Sequence, residues 1–343
     1  MSSLNLQIRI LTKKIISSLM IFITVIIITL MSYFHYNQLP IYDVTLAVKF
    51  ILNEQKNNDF DTVSETLGYK PTDKLLIIHA DDLGLCESVN SATFESFQSG
   101  SISSASVMMT TKEINEVVSF LDNNKNYDMG IHLTVTSEWK YHKWGGVLNK
   151  NDIPSILNSK NHLYWNKRKF TKNGKLDEIR KELQAQIDLG ISMGINPSHI
   201  DSHEGALFFD PDIFKLYLQI AEENDLLAFV PSQASVHFDE NFKKPKHAII
   251  IDQFHMLPEG TEINQIKDYY FNVIENLSPG LSQIIVHLGK DEKELREITI
   301  DHPNFDYRWR QLDFDIFNSD EFKNHLKKHD IKIINWKDLK KLI

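Results

Sequence analysis

The sequence predicts an α/β protein, a TIM-barrel-like (β/α) barrel preceded by one N-terminal transmembrane helix. Short apolar runs of β type alternate with helical patterns from Lys74 onward, which is typical of parallel β/α units. About eight such runs occupy the roughly 270 residues of this region, which suits the strand number and length of a TIM barrel. The 20 residues from Ile15 to Phe34 carry no charge and are numerous enough to cross a bilayer as a helix.

The composition fits a globular protein and argues against several classes of function. Its 343 residues are 42% hydrophobic, which is enough apolar material for one large domain or two small ones. A formal charge of −9 gives no support to nucleic-acid binding, which requires a basic surface. The single cysteine, Cys86, excludes an intrachain disulfide and a cysteine-rich metal site. We favour simple packing of the Cys86 side chain in the core, and a nucleophilic thiol is the alternative. The only indication of a reactive thiol is its position just after the two aspartates.

The N-terminal segment is interpreted as a signal anchor at residues 15–34. Arg9, Lys13 and Lys14 precede the apolar run, and positive charge on that side predicts that residues 1–14 stay in the cytoplasm. The sequence after the run lacks the small residues of a cleavage site, so we favour a retained single-pass anchor over a cleaved signal peptide. The rest of the chain would then lie outside the cytoplasm, attached to the membrane.

Residues 35–73 are expected to link this helix to the folded domain, residues 74–343. Residues 41–52 could form one helix, and the polar stretch that follows, with Pro71 near its end, is expected to be a linker. The remainder shows no internal repeat and no low-complexity block. We therefore expect a single folded domain after the linker.

Eight runs within this domain are predicted to be strands. In sequence order they are Leu75–Ala80, Ser103–Met109, Met129–Val135, Ser198–His203, Leu226–Val230, Ala248–Asp252, Gln283–Leu288 and Ile331–Trp336. Helical patterns lie between most of them. In residues 176–194 the apolar residues with helical spacing are Ile179, Leu183, Ile187 and Ile191. An open doubly wound sheet is the alternative to a barrel, because eight short predictions can include a false one.

The longest stretch without a predicted element runs from Ser137 to Asn173. It is rich in tryptophan, asparagine, lysine and histidine. A loop of this length inside a compact domain is generally functional or disordered.

Acidic and histidine side chains collect at the carboxyl ends of the predicted strands, where parallel β/α folds carry their functional residues. The five clusters are Asp81–Asp82, His132, His199-x-Asp201-x-His203, His255 and His287. The spacing of two in the third cluster points its side chains to one face of a strand. Three polar side chains on one face of an interior strand are costly to bury unless they are paired or bind a metal.

These residue types suggest a site for a catalytic divalent ion. One carboxylate and two imidazoles form a common ligand set that leaves positions open for water and substrate. Of Asp81 and Asp82, one would bind the ion and the other would remain free as a general base, and Gly84 permits the turn that both need. Simpler alternatives remain open, because an Asp-Asp pair also caps helices and His132 alone could be a hydrogen-bonded interior residue.

The same motifs resemble the YdjC-like carbohydrate deacetylases, the family that includes chitooligosaccharide deacetylases. The resemblance extends in order from Leu75 to the C-terminus. It rests on the blocks "IIHADDLGLCESVNSATFESFQSGSISSASVMM", "MGIHLTVT", "PSHIDSHEG", "GLSQIIVHLG" and the closing region that begins "YRWRQLDFDIFNSDEF". The combination is specific, and the chain is identified as a member of this family.

Membership implies a TIM-barrel-like fold, a carbohydrate substrate and one divalent metal ion, Mg or Zn. The resemblance places the metal ligands at Asp82, His132 and His203. It places the catalytic base at Asp81 and a late-strand acid at His287. The implied reaction is hydrolysis of an acetyl group, most often an N-acetyl group, on an oligo- or polysaccharide.

Four further residues are expected to contact the substrate. They are His199, Asp201, His255 and Trp144. Three of them belong to the strand-end clusters, and Trp144 belongs to the long loop, where its ring could stack on a sugar.

Some family positions are changed, and two alternative functions stay open. Glu204 and Gly205 stand where further histidines are common, and Leu288 replaces the proline after His287. A non-catalytic, membrane-anchored carbohydrate-binding barrel is one alternative. Another metal-dependent hydrolase, such as a phosphoesterase, is less favoured because no basic cluster or glycine-rich cradle accompanies the site.

Overall fold

A computed structural model describes residues 3–36, 60–122, 124, 126–302 and 304–343. Its strands are β1 (Lys74–Leu83), β2 (Ser104–Val107), β3 (Met129–Leu133), β4 (His199–Ser202), β5 (Leu227–Pro231), β6 (Ala248–Ile251), β7 (Gln253–Met256), β8 (Gly280–Val286) and β9 (Ile331–Ile333). Its helices are α1 (Ser3–Tyr36), α2 (Phe60–Leu67), α3 (Glu87–Gln98), α4 (Ile114–Asp122), α5 (Lys167–Asn173), α6 (Leu176–Ser192), α7 (Pro211–Glu223), α8 (Ile266–Asn276), α9 (Lys293–Ile298), α10 (Tyr307–Asn318), α11 (Asp320–Lys328) and α12 (Trp336–Leu339).

The strands form one parallel sheet that curves into a nearly closed barrel. Their order is β6-β5-β4-β3-β2-β1-β8-β7, and β9 pairs with the first three residues of β1. Each pairing is parallel, as expected when helices connect successive strands. The predicted (β/α) barrel is therefore confirmed, and the open doubly wound alternative is wrong. The carboxyl ends of β1, β3, β4 and β8 all face the same mouth of the barrel.

Among the described residues, strand β7 was not predicted from the sequence. Strand β7 follows β6 after the single residue Asp252, so the two strands read as one run in the sequence. It pairs with β8 instead of continuing β6, and it places Phe254 and Met256 near the mouth of the barrel.

The predicted helix at residues 176–194 is confirmed as α6, and three of its four regularly spaced apolar residues form its buried face. Ile179, Leu183 and Ile187 are fully buried against the barrel, whereas Ile191 is 51% exposed. Four residues turn an α-helix by about 400°, so each step of four rotates the side chain by about 40°. After three steps Ile191 has moved about 120° away from Ile179 and reaches solvent.

The N-terminal region consists of two helices within the described residues. Leu11–Tyr33 of α1 is long and apolar enough to cross a membrane, and its side chains are exposed. The possible helix at residues 41–52 lies outside the described residues. Helix α2 occupies part of the expected polar linker, where Ser64 and Leu67 are buried against the barrel domain.

The long loop after β3 is folded onto the barrel. Thr136 pairs with Tyr164, and Glu182 of α6 accepts the backbone N–H groups of Val147 and Leu148. The loop also buries apolar side chains, and α5 forms its end. This segment therefore reaches the barrel mouth as an ordered wall.

Helix α6 offers a test of the packing with two substitutions in one element. We expect Leu183→Ala to lower the free energy of unfolding by about 2–5 kcal/mol, because it removes a fully buried side chain and leaves a cavity. Ile191→Ala should change it by about 0.5 kcal/mol or less. Thermal and denaturant unfolding of both variants measures the difference, and equal losses would contradict the assigned helix face.

Candidate active site

The carboxyl end of β1 brings two consecutive carboxylates to the same place. Alternation along the strand puts His79 and Asp81 on the face toward the barrel interior, so Asp82 would point away if the strand continued regularly. Asp82 instead has φ +64°, in the left-handed region that a non-glycine residue seldom adopts. This single turn swings its side chain back into the mouth, and Gly84, with φ +94°, continues the turn.

Three donor atoms converge at the mouth from three segments of the chain. Asp82 Oδ1 lies 3.5 Å from His132 Nε2 on β3 and 3.3 Å from His203 Nδ1, just after β4. The two imidazole nitrogens are 3.3 Å apart. All three side chains are buried. We call Asp82, His132 and His203 the triad.

A second set of residues orients the triad. Asp201 Oδ1 is 2.6 Å from His132 Nδ1, and Glu138 Oε2 is 3.0 Å from His203 Nε2. An ionised carboxylate can only accept, so each of these nitrogens carries the hydrogen and the opposite nitrogen is turned toward Asp82. Such carboxylate–histidine pairs are usual behind metal-bound imidazoles, where they fix the ring and increase its basicity.

Arg310 of α10 fixes the carboxylate of the triad. Its Nη2 donates to Asp82 Oδ2 at 2.7 Å, and its Nε donates to the Phe305 carbonyl at 2.9 Å. The guanidinium also lies over the Trp139 ring, 5.2 Å from the centroid. Because one oxygen of Asp82 is taken by Arg310, only Oδ1 is left to face the two imidazoles.

The electrostatics of the triad favour a positive charge at its centre. Burial raises the pKa of Asp82, but Arg310 and the two histidines outweigh it and lower the pKa well below its usual value. Burial lowers the pKa of His203, but Glu138 and Asp82 outweigh it and raise the pKa to about 10. Burial is likewise outweighed at His132, where Asp201 and Asp81 raise the pKa. Either two protons or one divalent cation would satisfy these carboxylates.

The donor set fits a divalent cation. The three donor atoms are separated by 3.3–3.5 Å. Ligands at about 2.1 Å from a tetrahedral zinc ion would be about 3.4 Å apart, which matches this spacing. Two imidazoles and one carboxylate are ligands that zinc accepts, with a further position left for water. Asp82, His132 and His203 could therefore hold one such ion.

Asp81 lies beside the triad without being one of its donors. Its Oδ2 is 3.9 Å from His132 Nε2, and its Oδ1 is 3.3 Å from His79 Nε2. The side chain lines the open cavity of the mouth. Asp81, His132 and Asp201 form another group whose ligand atoms are close enough for a cation, so the geometry leaves two assignments for Asp81.

His287 follows β8, which pairs with β1, so it lies at the same mouth near the end of the strand that carries Asp81 and Asp82. It lines the cavity, and its ring packs against Phe305 with centroids 4.6 Å apart. Its backbone N–H donates to Asp313 Oδ2 at 2.9 Å. Burial lowers the pKa of His287 to about 4, and the nearby charge of Asp82 offsets this only in part. The imidazole is therefore neutral at pH 7 in the free protein.

The triad opens into a cavity of about 670 Å³ at the mouth of the barrel. Its lining includes the triad with Asp81 and Glu138, and many of the other lining side chains are aromatic. The aromatic residues among its lining are Trp139, Trp165, Phe208, Phe209, Phe229, Phe254 and Phe305. A concave site with a few convergent polar groups and large apolar walls is suited to a small organic ligand.

Two of the residues expected to contact the substrate lie behind the site. Asp201 is buried beneath His132 and orients that ring, which is a candidate metal ligand. Asp201 itself does not line the cavity. His199 is fully buried and stacks on Trp336, with ring centroids 4.7 Å apart. The alternating side chains of β4 do share one face, but that face is the packed interior of the barrel.

The other two expected substrate contacts also lie outside the cavity lining. His255 alternates along β7 with Phe254 and Met256, which line the cavity, so its side chain points to the other face. Trp144 is buried, donates its indole N–H to the Thr136 carbonyl and packs edge-on against His203. The loop tryptophans that do line the cavity are Trp139 and Trp165.

Several site residues were not identified from the sequence. Glu138 lies in the long loop, whose length was the only signal that it had a function. Arg310 is 228 positions from Asp82 in the chain, and its place in a helical pattern gave no signal of a role at the barrel mouth. His79 shares a strand face with Asp81, and that spacing of two could have identified it.

Cys86 has a structural role. It is buried at the start of α3, and burial raises the pKa of its thiol to about 12. Because the thiolate is the nucleophilic form, the nucleophile alternative is not supported.

The chain is similar to proteins of one family over most of its length. The family model described as YdjC-like protein matches residues 75–328. A carbohydrate deacetylase of Clostridium beijerinckii is 25% identical over 77% of this chain and 99% of the relative. A chitooligosaccharide deacetylase of Yersinia enterocolitica is 32% identical over 45% of this chain and 58% of the relative.

One solved structure shares the fold. A protein of Enterococcus faecalis V583, named for a proposed role in cellobiose-phosphate cleavage, superposes with a TM-score of 0.64. The sequences are 20% identical, and the match covers 78% of this chain and 99% of that protein. At this identity the likeness concerns the barrel and its order of elements.

The role of Asp201 behind His132 can be tested by metal binding. We expect Asp201→Asn to weaken zinc binding by about 10–100-fold, because the ring loses its charged partner. Glu182→Gln is the matched control, since Glu182 is also a buried carboxylate but contacts no member of the triad. Isothermal titration calorimetry of the full chain in detergent measures both, and unchanged binding by Asp201→Asn would contradict the orienting role.

Proposed function

The chain belongs to the YdjC-like family, and from this premise we propose that it is a metal-dependent hydrolase that removes acetyl groups from an oligo- or polysaccharide. N-acetyl groups are the expected targets. The observation that carries the proposal is the convergence of Asp82, His132 and His203 beside the unliganded Asp81. The names of the Clostridium and Yersinia relatives support the substrate class.

The polar residues at the barrel mouth would have different roles in amide hydrolysis. An ion held by the triad would polarise the acetyl carbonyl and lower the pKa of water. Asp81 would take a proton from the attacking water as the new C–O bond forms. His287 would give a proton to the sugar nitrogen as the C–N bond breaks. Burial lowers the pKa of His287 to about 4 in the free protein, so the proton that it gives to the nitrogen would be the one that Asp81 took from the attacking water, passed on to the imidazole before the C–N bond breaks.

The metal is proposed to be zinc, with magnesium as the alternative. The support is the presence of two imidazole nitrogens among three donors, since magnesium prefers oxygen ligands and octahedral geometry. Elemental analysis of the purified full chain distinguishes the two.

The protein is proposed to be a single-pass membrane protein with its barrel outside the cytoplasm. The support is the apolar helix segment Leu11–Tyr33 together with the basic residues on its N-terminal side. A signal sequence would pass the same length and composition test, and N-terminal sequencing of the membrane-bound protein separates the two.

Acetate release tests the activity directly. The zinc-loaded full chain in detergent should release acetate from chitooligosaccharides or peptidoglycan fragments. Release of phosphate from monoesters without acetate would favour a phosphoesterase instead. Binding of the same oligosaccharides without any hydrolysis would favour the non-catalytic barrel.

The base assignment predicts a specific effect of Asp81→Asn. We expect kcat to fall by at least about 100-fold, because the amide cannot accept the proton of water. The bound zinc should remain at one ion per chain, measured by elemental analysis. Loss of both activity and zinc would instead make Asp81 a ligand, as the Asp81–His132–Asp201 group allows.

The aromatic residues of the cavity lining predict an effect on substrate binding. Trp165 lines the cavity and is 48% exposed, so Trp165→Ala should raise KM by roughly 2–10-fold, corresponding to about 0.5–1.5 kcal/mol of ring stacking. Because stacking on a sugar ring would stabilise the bound substrate and the transition state alike, kcat should change little. Tyr141→Ala is the control, since Tyr141 is an exposed aromatic of the same loop outside the cavity lining. Equal KM values for the two variants would remove Trp165 from the substrate site.

A further inference from the structure

His79 is a fully buried histidine that has no role in the scheme above. It lies on β1 two residues before Asp81, so the two side chains share one face of the strand. Its Nε2 is 3.0 Å from Asp201 Oδ2 and 3.3 Å from Asp81 Oδ1. The same nitrogen lies 3.1 Å from Ser106 Oγ. All three contacts are made by the single nitrogen Nε2, so one corner of the ring faces two carboxylates that belong to different parts of the site. The contacts with the carboxylates are charge contacts, and the contact with Ser106 is the one with hydrogen-bond geometry.

Through these contacts His79 connects the proposed base to the triad. Asp201 Oδ2 contacts His79, and its other oxygen, Oδ1, holds His132 at 2.6 Å. The order of contacts is Asp81, His79, Asp201, His132. His79 is not part of the cavity lining, so it meets the substrate only through these neighbours.

The charges around the ring explain why an imidazole stands there. Asp81 and Asp201 are both buried, and two buried carboxylates near one another are costly without a cation between them. Burial lowers the pKa of His79, but the contacts with Asp201 and Asp81 outweigh it and raise the pKa to about 9. With Nε2 at 3.0 Å from Asp201 and 3.3 Å from Asp81, the ring keeps the two carboxylates at fixed positions on either side of one polar atom.

We propose that His79 is the positioning residue of the base: it holds the Asp81 carboxylate beside the triad and ties it to the residue that orients His132. This inference rests on the proposed function, in which Asp81 is the base. Without the ring, Asp81 loses its contact at Oδ1, and its carboxylate is free to leave the place from which it reaches the attacking water. The chemical step should then slow down while substrate binding is preserved.

Two substitutions of equal length separate positioning from packing. His79→Gln keeps a donor near the place of Nε2, whereas His79→Met fills similar space without one. In the zinc-loaded full chain we expect His79→Met to lower kcat by about 10–100-fold, with KM unchanged within about 2-fold and one zinc ion per chain. His79→Gln should recover most of the lost kcat. His247→Met is the control, because His247 is also a buried histidine beside a carboxylate, Asp225, but does not line the cavity, and it should change kcat by less than about 3-fold.

Several outcomes would overturn the proposal. A kcat of His79→Met equal to that of the natural chain, or a His79→Gln variant that is folded and as impaired as His79→Met, would exclude positioning of Asp81 by a polar group at the place of Nε2. Loss of zinc in His79→Met would make His79 a support of the metal site. Two zinc ions in the natural chain and one in His79→Met would make it a ligand, together with His199 and Asp201. His79→Thr, a smaller polar residue suited to a strand, replaces the Met variant if that one does not fold.

A readout without turnover keeps this inference separate from the proposed function. Crystal structures of the His79→Met and His79→Gln variants should show the Asp81 carboxylate displaced in the first and retained in the second. If the natural chain releases no acetate, the proposed function fails, and the position of Asp81 still decides the role of His79. An undisturbed Asp81 in His79→Met would overturn the positioning role.

Discussion

The site depends on one constraint, which is that Asp82 Oδ1, His132 Nε2 and His203 Nδ1 must face each other at 3.3–3.5 Å inside a buried region. Three lone pairs at this distance repel each other unless protons or a cation lie between them. The surroundings enforce the arrangement, because each donor is held from behind by a charged group. Asp201, Glu138 and Arg310 are these groups, and they account for the negative and positive charges buried around the mouth.

The barrel supplies the precision that this constraint requires. Strands β1, β3 and β4 are close neighbours in the sheet, so their carboxyl ends deliver the triad from a rigid edge. The left-handed turn at Asp82 then separates two adjacent carboxylates into different environments. Asp82 lies between Arg310 and the imidazoles, and Asp81 stays in the cavity lining. One strand end thus provides both a ligand candidate and a free carboxylate, and aromatic side chains complete much of the cavity lining.

Sequence patterns predicted the parts of the site that follow strand periodicity. The barrel, the strand-end clusters and the membership of the family were accessible because apolar runs and local motifs report them directly. Glu138 and Arg310 were not, since their approach depends on how a long loop and a distant helix pack on the mouth. His199 and Asp201 do share one face of β4, as their spacing predicts, but that face lies in the packed interior of the barrel and does not line the cavity. Trp144 and His255 lie outside the cavity lining, which the sequence could not indicate, because residue type alone does not report which way a side chain points.

Anomalous diffraction at the zinc edge, from crystals of the zinc-loaded protein, would locate the bound ion. We expect one strong peak per chain, at about 2.1 Å from Asp82 Oδ1, His132 Nε2 and His203 Nδ1. A peak among His79, His199 and Asp201, or a protein that crystallises with the three donors apart and no bound ion, would contradict it.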